Sequence, residues 1–170
     1  MPSVKLIAAV DDKLGIAKHN KIPWDLPSDK KYFRAKLEPG PVASGWKTYA
    51  ANGRKPYGHG NNTVFTRNYI TIPGVTVLHD AESFFENLHE DTWVSGGGQI
   101  FDLAIQYATH LYLTRVSGDF GCNTFFPEFE NEFVLISDGT PLVENGISFR
   151  YQVWERKRFS GVIKQGRLES

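Results

Sequence analysis

The sequence predicts a doubly wound α/β domain, a mainly parallel central sheet with helices on both faces and a C-terminal antiparallel hairpin at its edge. Three observations carry this expectation. Short apolar runs without polar alternation, Leu6 to Val10, Pro41 to Ser44, Thr63 to Thr66, Val75 to Leu78, Trp93 to Ser95 and Leu111 to Val116, suit strands covered on both faces. Segments of helical period lie between several of these runs, as in a parallel sheet. The end of the chain alternates instead, with Phe149, Tyr151 and Val153 two apart, as an antiparallel strand does.

Taken in order, the strand at Leu6 to Val10 precedes a helix that opens at Pro27, where a missing N–H is harmless. Leu26, Tyr32, Phe33 and Leu37 recur there at helical spacing. Ala81 opens a second helical segment with Phe84, Phe85 and Leu88. The triplet Gly96-Gly97-Gly98 opens a third with Ile100, Phe101, Ala104, Ile105 and Ala108. Phe133 to Ser137, a turn around Asp138-Gly139, and Ile147 to Lys157 then form a long hairpin on the sheet edge.

Of the 170 residues 41% are hydrophobic, enough for one continuous core, and no linker or repeat divides them. One domain is expected over residues 1–160, followed by a polar tail at 161–170. The 19 Lys+Arg balance 19 Asp+Glu, so the basic footprint of a nucleic-acid binder is absent. No apolar run approaches the ~18 residues of a membrane span, and the start is too short and wrongly flanked for a signal peptide. A cytoplasmic chain without membrane contact is expected, and a monomer, because no apolar stripe is left over. Cys122 stands alone, so it reads as a small packing residue; no disulfide and no metal site is expected.

Three features exceed what folding needs. With Pro27 in the first turn, Leu26, Asp29, Phe33 and Leu37 fall three, four and four apart, which puts a carboxylate in the stripe that faces the core. A helix-dipole role accounts for an acid at an N-terminus. A carboxylate among Leu26, Tyr32 and Phe33 would also hold its proton more readily, anchor a protonated heterocycle or assist a proton transfer. The glycine triplet, directly after one strand and directly before a helix, has the geometry in which bare N–H groups approach a phosphate. It is not the Rossmann fingerprint, and a tight structural turn explains it equally well. Last, Ser44 to Thr48 and Thr63 to Asn68 each bring hydroxyls and a cation, Lys47 or Arg67, to the carboxyl edge of a parallel strand, where open sheets collect ligands.

The order and spacing of Leu6-Ile7-Ala8-Ala9-Val10-Asp11, Pro23-Trp24-Asp25-Leu26-Pro27-Ser28-Asp29, Gly45-Trp46-Lys47-Thr48-Tyr49, Phe65-Thr66-Arg67, Ser95-Gly96-Gly97-Gly98-Gln99-Ile100-Phe101, Leu111-Tyr112-Leu113-Thr114 and Asn123-Thr124-Phe125-Phe126-Pro127 resemble the dihydrofolate reductase family over nearly the whole chain. The resemblance implies a reductase that uses NADPH to convert 7,8-dihydrofolate to tetrahydrofolate, hydride passing to C6 of the pterin and a proton to N5. It implies Asp29 as the single ionisable active-site residue, with water as the immediate proton donor and Thr114 as the support of that carboxylate. Ile22 and Trp24 would lie on a segment that closes over the nicotinamide, and Ile7, Ala9, Tyr32 and Phe33 would line the substrate slot. Ala9, Ile16, Gly45, Lys47, Thr48, Thr66, Arg67, Gly96, Gly97, Gly98, Gln99 and Ile100 match cofactor positions, with an adenosine-binding part at about residues 40–108.

Three departures from the family pattern bear on this. Trp46 stands where the family has an arginine that reaches the cofactor phosphates. The arginine for the α-carboxylate of folate's glutamate, expected shortly before Val64, is missing from Gly58-His59-Gly60-Asn61-Asn62, where one residue is inserted. Arg54 is the expected substitute, with Lys55 and His59 as others; without one, substrate binding would weaken by roughly tens- to hundreds-fold. Ala17 replaces a glycine of the closing segment. Two other classes therefore stay open. One is a related pterin or pyrimidine reductase of the riboflavin-pathway type, whose substrate lacks the glutamate. The other is a non-catalytic nucleotide-binding module, which would be expected to have lost Asp29 or the triplet.

Overall fold

The computed structural model describes residues 2–158; the tail expected at 161–170 and the last residues of the expected domain lie outside them. In chain order the elements are β1 (Val4–Val10), β2 (Gly15–Ala17), α1 (Pro27–Leu37), β3 (Val42–Gly45), α2 (Trp46–Ala51), β4 (Asn62–Phe65), β5 (Thr76–Leu78), α3 (Ala81–Glu86), β6 (Thr92–Val94), α4 (Gly98–Ala104), β7 (His110–Val116), β8 (Thr124–Phe125), β9 (Phe133–Asp138), β10 (Leu142–Glu144) and β11 (Ile147–Arg156).

The main sheet runs β10-β11-β7-β1-β6-β3-β4-β5, with β9 beside β11. From β7 to β5 every neighbouring pair is parallel, whereas β11 runs antiparallel to β7, β9 and β10. The six apolar runs are these parallel strands. Leu6 and Ile7 point to opposite faces and both are buried, which is why the runs cannot alternate.

On one face Leu6, Ala8, Val94, Leu111 and Leu113 pack with Phe85 of α3 and with Phe101 and Ala104 of α4. On the other, Ile7, Val42 and Trp93 pack with Leu37 of α1 and with Tyr57, while Tyr32 and Phe33 lie at the margin. Leu37 is 0% exposed, so truncation to alanine would cost about 2–5 kcal/mol and loosen α1 from the sheet. Parallel strands end on a common edge, and here that edge carries Gly45, Thr66, Ser95 and the glycine triplet.

The C-terminal part corrects the expectation. The tight turn is Asn145-Gly146, which joins β10 to β11 with φ of 51° and 74°, the left-handed pair a two-residue hairpin requires. The Asp138-Gly139 pair instead ends β9, which pairs with the far half of β11. Four short elements were not expected: β2 and β8, which pair with each other, β10, which pairs with β11, and α2. Among the described residues no helix is long and apolar enough to cross a membrane. Cys122 is a half-buried free thiol beside Gly15 and Asp11, and burial pushes its pKa up to about 11.

Candidate active site

Pro27 opens α1 and Leu26 occupies its N-cap position without any side-chain cap. This places Asp29 in the first turn, half-buried and turned to the sheet, where Thr114 Oγ1 donates to its Oδ1 at 2.6 Å. Thr114 is buried in β7, opposite Ala9 of β1 and Tyr151 of β11. Burial holds the Asp29 carboxyl above its ordinary 3.8; the Thr114 hydrogen bond opposes the shift and the charge of Glu144 adds to it. Among the described residues no cation pairs with Asp29, and Lys30 turns to Asp25 at 3.7 Å. An acid serving only the helix dipole would face water, so that reading does not account for Asp29.

The walls around it are mainly apolar. Ile7 is buried beneath α1, and Phe33 meets Tyr57 edge-on at 5.9 Å. Tyr32, three residues after Asp29 on α1, stacks on Tyr151 at 4.0 Å. Trp24 is buried edge-on against Phe120 at 5.2 Å, while Ile22, earlier on the same segment, is 59% exposed. The loop that carries them is tied down at its start: the Asp11 carboxylate accepts from Gly15 N at 2.8 Å and from Phe120 N at 3.0 Å. Ile16 and Ala17 follow on β2.

The expected cofactor residues gather on the carboxyl edge. Gly45 N donates to Gly96 O at 2.7 Å, so the turn after β3 touches the turn after β6. Thr48 stands over both: a Cβ on Gly96 or Gly97 would come within 3.2 Å of its Oγ1, and Gly96 has φ 123°. Ile100 lies against Gly45, while Lys47, Arg67 and Gln99 are exposed. Thr66 O accepts from His79 Nδ1 at 2.7 Å, which places an imidazole beside Arg67. Among the described residues the buried Ser44 hydroxyl, one residue before Gly45, has no partner, and the buried Ser95 hydroxyl, one residue before Gly96, faces that of Tyr57. An unpartnered buried hydroxyl, a glycine cradle that a Cβ would crowd, and two cations exposed and unpaired among the described residues together fit a dinucleotide phosphate and its sugars.

The sequence reading missed Tyr57, Ser95, His79 and Glu144. Tyr57 is 6% exposed and lies in an irregular loop where no periodicity marks it; its backbone is held by Asn62 on both sides, at 2.9 and 3.0 Å. Two of the three expected substitutes for the missing arginine, Arg54 and His59, are engaged elsewhere. The Arg54 guanidinium lies over the Trp46 ring at 5.5 Å, on the α2 side, and His59 pairs with Glu38 at 2.6 Å. No side chain fits at Gly60, where a Cβ would meet Pro39 O at 2.5 Å. The loop at 58–60 is thus sealed against the turn that follows α1.

Residues 3–156 match the family model described as dihydrofolate reductase. The dihydrofolate reductase of Bacillus subtilis (strain 168) is 29% identical over 162 residues, covering 92% of this chain and 96% of that protein. The type 3 dihydrofolate reductase of Salmonella typhimurium is 33% identical over 128 residues, covering 74% and 79%. Among solved structures, the dihydrofolate reductase from Enterococcus faecalis complexed with NADP(H) and RAB-propyl has a TM-score of 0.80 at 27% identity, covering 92% of this chain and 97% of that one.

Proposed function

The chain belongs to the dihydrofolate reductase family, and from that premise we propose how its own residues reduce 7,8-dihydrofolate to 5,6,7,8-tetrahydrofolate with NADPH, hydride arriving at C6 and a proton at N5. The observation that carries the reading is Asp29, an acid turned inward beneath Thr114 and paired with no cation among the described residues.

Asp29 binds the pterin edge at N3 and the 2-amino group. A ring that gains a proton at N5 becomes cation-like, and a carboxylate in a poorly hydrated cleft favours that form; water delivers the proton itself. Thr114 occupies one carboxylate oxygen and so aims the other at the ring. Ile7, Ala9, Tyr32 and Phe33 form the slot, and Trp24 with the Ile22 segment excludes bulk water. NADPH supplies the hydride when bound. Gly45, Thr48, Gly96, Gly97, Gly98 and Ile100 would hold it along the carboxyl edge, with Ala9, Ile16, Thr66 and Gln99 flanking and Lys47 and Arg67 supplying positive charge for its phosphates. Arg54, lying on Trp46, stands on the cofactor side, so a direct role on the substrate tail would require it to leave that ring. The reading includes a single domain acting as a monomer, since one chain supplies every group named, and it takes the cytoplasm as its place of action.

The sealed loop at 58–60 favours a second reading, a reductase of pterins or pyrimidines without a glutamate tail. The test follows NADPH oxidation with dihydrofolate and, in parallel, with 6-methyl-7,8-dihydropterin. A kcat/KM at least about tenfold higher for dihydrofolate, some 1.4 kcal/mol of tail recognition, supports the first reading. Equal efficiency on both supports the second, and no oxidation with either leaves only a nucleotide-binding module.

A further inference from the structure

The tip of the edge hairpin reaches back to the active-site helix. Glu144, the last residue of β10, accepts from Ser28 N at 3.0 Å on Oε1 and from Ser28 Oγ at 2.7 Å on Oε2, 116 residues away in sequence. Beside it, Asn145 Nδ2 donates to Asp25 O at 3.0 Å. Because α1 lacks a side-chain cap of its own, this external carboxylate satisfies one of its free N–H groups. Ser28 is the residue immediately before Asp29.

We propose that Glu144 is a positioning residue for the reduction: it pins the first turn of α1 so that Asp29 meets Thr114, and it sets a second negative charge facing that carboxylate. The proposal rests on Asp29 being the active-site acid. Without Glu144, backbone bonds from Asp29 N and Lys30 N to Leu26 O hold the first turn, and Pro27 and Ser28 lie exposed.

The electrostatic part has a definite sign. Asp29 is faced by Thr114 from β7, Tyr151 from β11, Tyr32 from its own helix and Glu144 from β10, while Ala9 of β1 is uncharged. Tyr32 is pushed up to about 12 by burial, with Tyr112 contributing, and Tyr151 is raised as well, so the phenols stay neutral near neutral pH. On the same segment Lys30 and Asp25 offset each other. Glu144 is the charge among these groups that acts on Asp29; its influence is smaller than that of burial or of the Thr114 bond, and it works in the same direction as burial, keeping the proton on to higher pH.

The test compares the full chain with Glu144→Gln, which keeps an amide oxygen for Ser28 but drops the charge, and Glu144→Ala, which drops both. The Asp29 carboxyl is titrated by carbon NMR in each free protein, and single-turnover hydride transfer is measured across pH with Asp29→Asn alongside. Glu144→Gln is expected to lower the Asp29 midpoint and, because the lost negative charge also favoured the ring protonated at N5, to reduce the rate at pH 8 by about two- to five-fold, the effect of one partly screened charge, with the low-pH plateau unchanged. Glu144→Ala is expected to shift the midpoint in the same way and also to lower the plateau. A wild-type Asp29 midpoint in Glu144→Gln, or a wild-type plateau in Glu144→Ala, overturns the proposal. If Asp29→Asn retains full activity, the assignment of Asp29 itself has failed. If it abolishes transfer while both Glu144 variants behave as wild type, Glu144 alone is discarded.

Discussion

Thr114 Oγ1 donates to Asp29 Oδ1 across 2.6 Å, joining the middle of β7 to the first turn of α1. The bond stabilises the ionised form against the burial that disfavours it, and burial is the larger effect. Replacing Thr114 by valine keeps the shape and removes the hydroxyl. Asp29 should then hold its proton to still higher pH, moving the descending limb of the pH–rate profile upward, opposite to Glu144→Gln. Stability should fall by about 1–3 kcal/mol because a half-buried carboxylate oxygen loses its donor. A limb that moves downward in stopped-flow measurements would contradict this account.

Asp29→Asn should lower hydride transfer at neutral pH by roughly 10²–10⁴-fold, the range of a positioned acid–base group. NADPH affinity, read by fluorescence titration, should stay within about two-fold, since no cofactor contact is removed. A mild effect on transfer would take Asp29 out of the mechanism.

The same substitution should stabilise the protein. Asp29 has a raised pKa in the folded state, so the folded chain binds this proton more tightly than the unfolded chain does. Stability therefore falls as pH rises from the unfolded value near 3.8 through the folded one, and the penalty is complete above it. At pH 8 Asp29→Asn should melt higher than wild type, by about 2–4 °C per kcal/mol relieved, and the advantage should vanish near pH 3. Thermal melts at the two pH values check both halves; a lower Tm at pH 8 would mean that burial is not the dominant influence.

Arg67 is exposed just beyond β4, beside Thr66 and His79. Arg67→Ala should weaken NADPH by about 10- to 100-fold, a charge-assisted contact, and NADH by no more than about two-fold. Equal losses would place the 2′-phosphate elsewhere, and the Arg54 guanidinium on Trp46 would be the next group to remove.

Gly96→Ala forces a side chain onto a backbone with φ 123° and brings a Cβ within 3.2 Å of Thr48 Oγ1. It should cost about 1–3 kcal/mol of stability and weaken NADPH, while the titration of Asp29 stays put because that residue lies on α1. An unchanged NADPH affinity would separate the triplet from cofactor binding.

Local pattern alone settled much of this molecule. Residues such as Leu6 and Ile7 lie on opposite faces of one strand, so an apolar run without alternation can only mean cover on both sides. The spacing of Leu26, Asp29, Phe33 and Leu37 likewise turned an acid inward before any neighbour was known. Short or irregular pieces left no such trace: β2, β8, β10 and α2 span too few residues for a period, and Tyr57 sits in a loop. The hairpin turn was misplaced because Asp138-Gly139 and Asn145-Gly146 carry similar turn chemistry, and only pairing along β11 decides between them. That Thr114 meets Asp29, that Glu144 grips Ser28, and that Gly60 has no room for a side chain were decided by the tertiary structure. Sequence periodicity states which face of an element is buried, whereas partners 85 or 116 residues apart are chosen by the order of the strands, which the packing of the whole sheet determines.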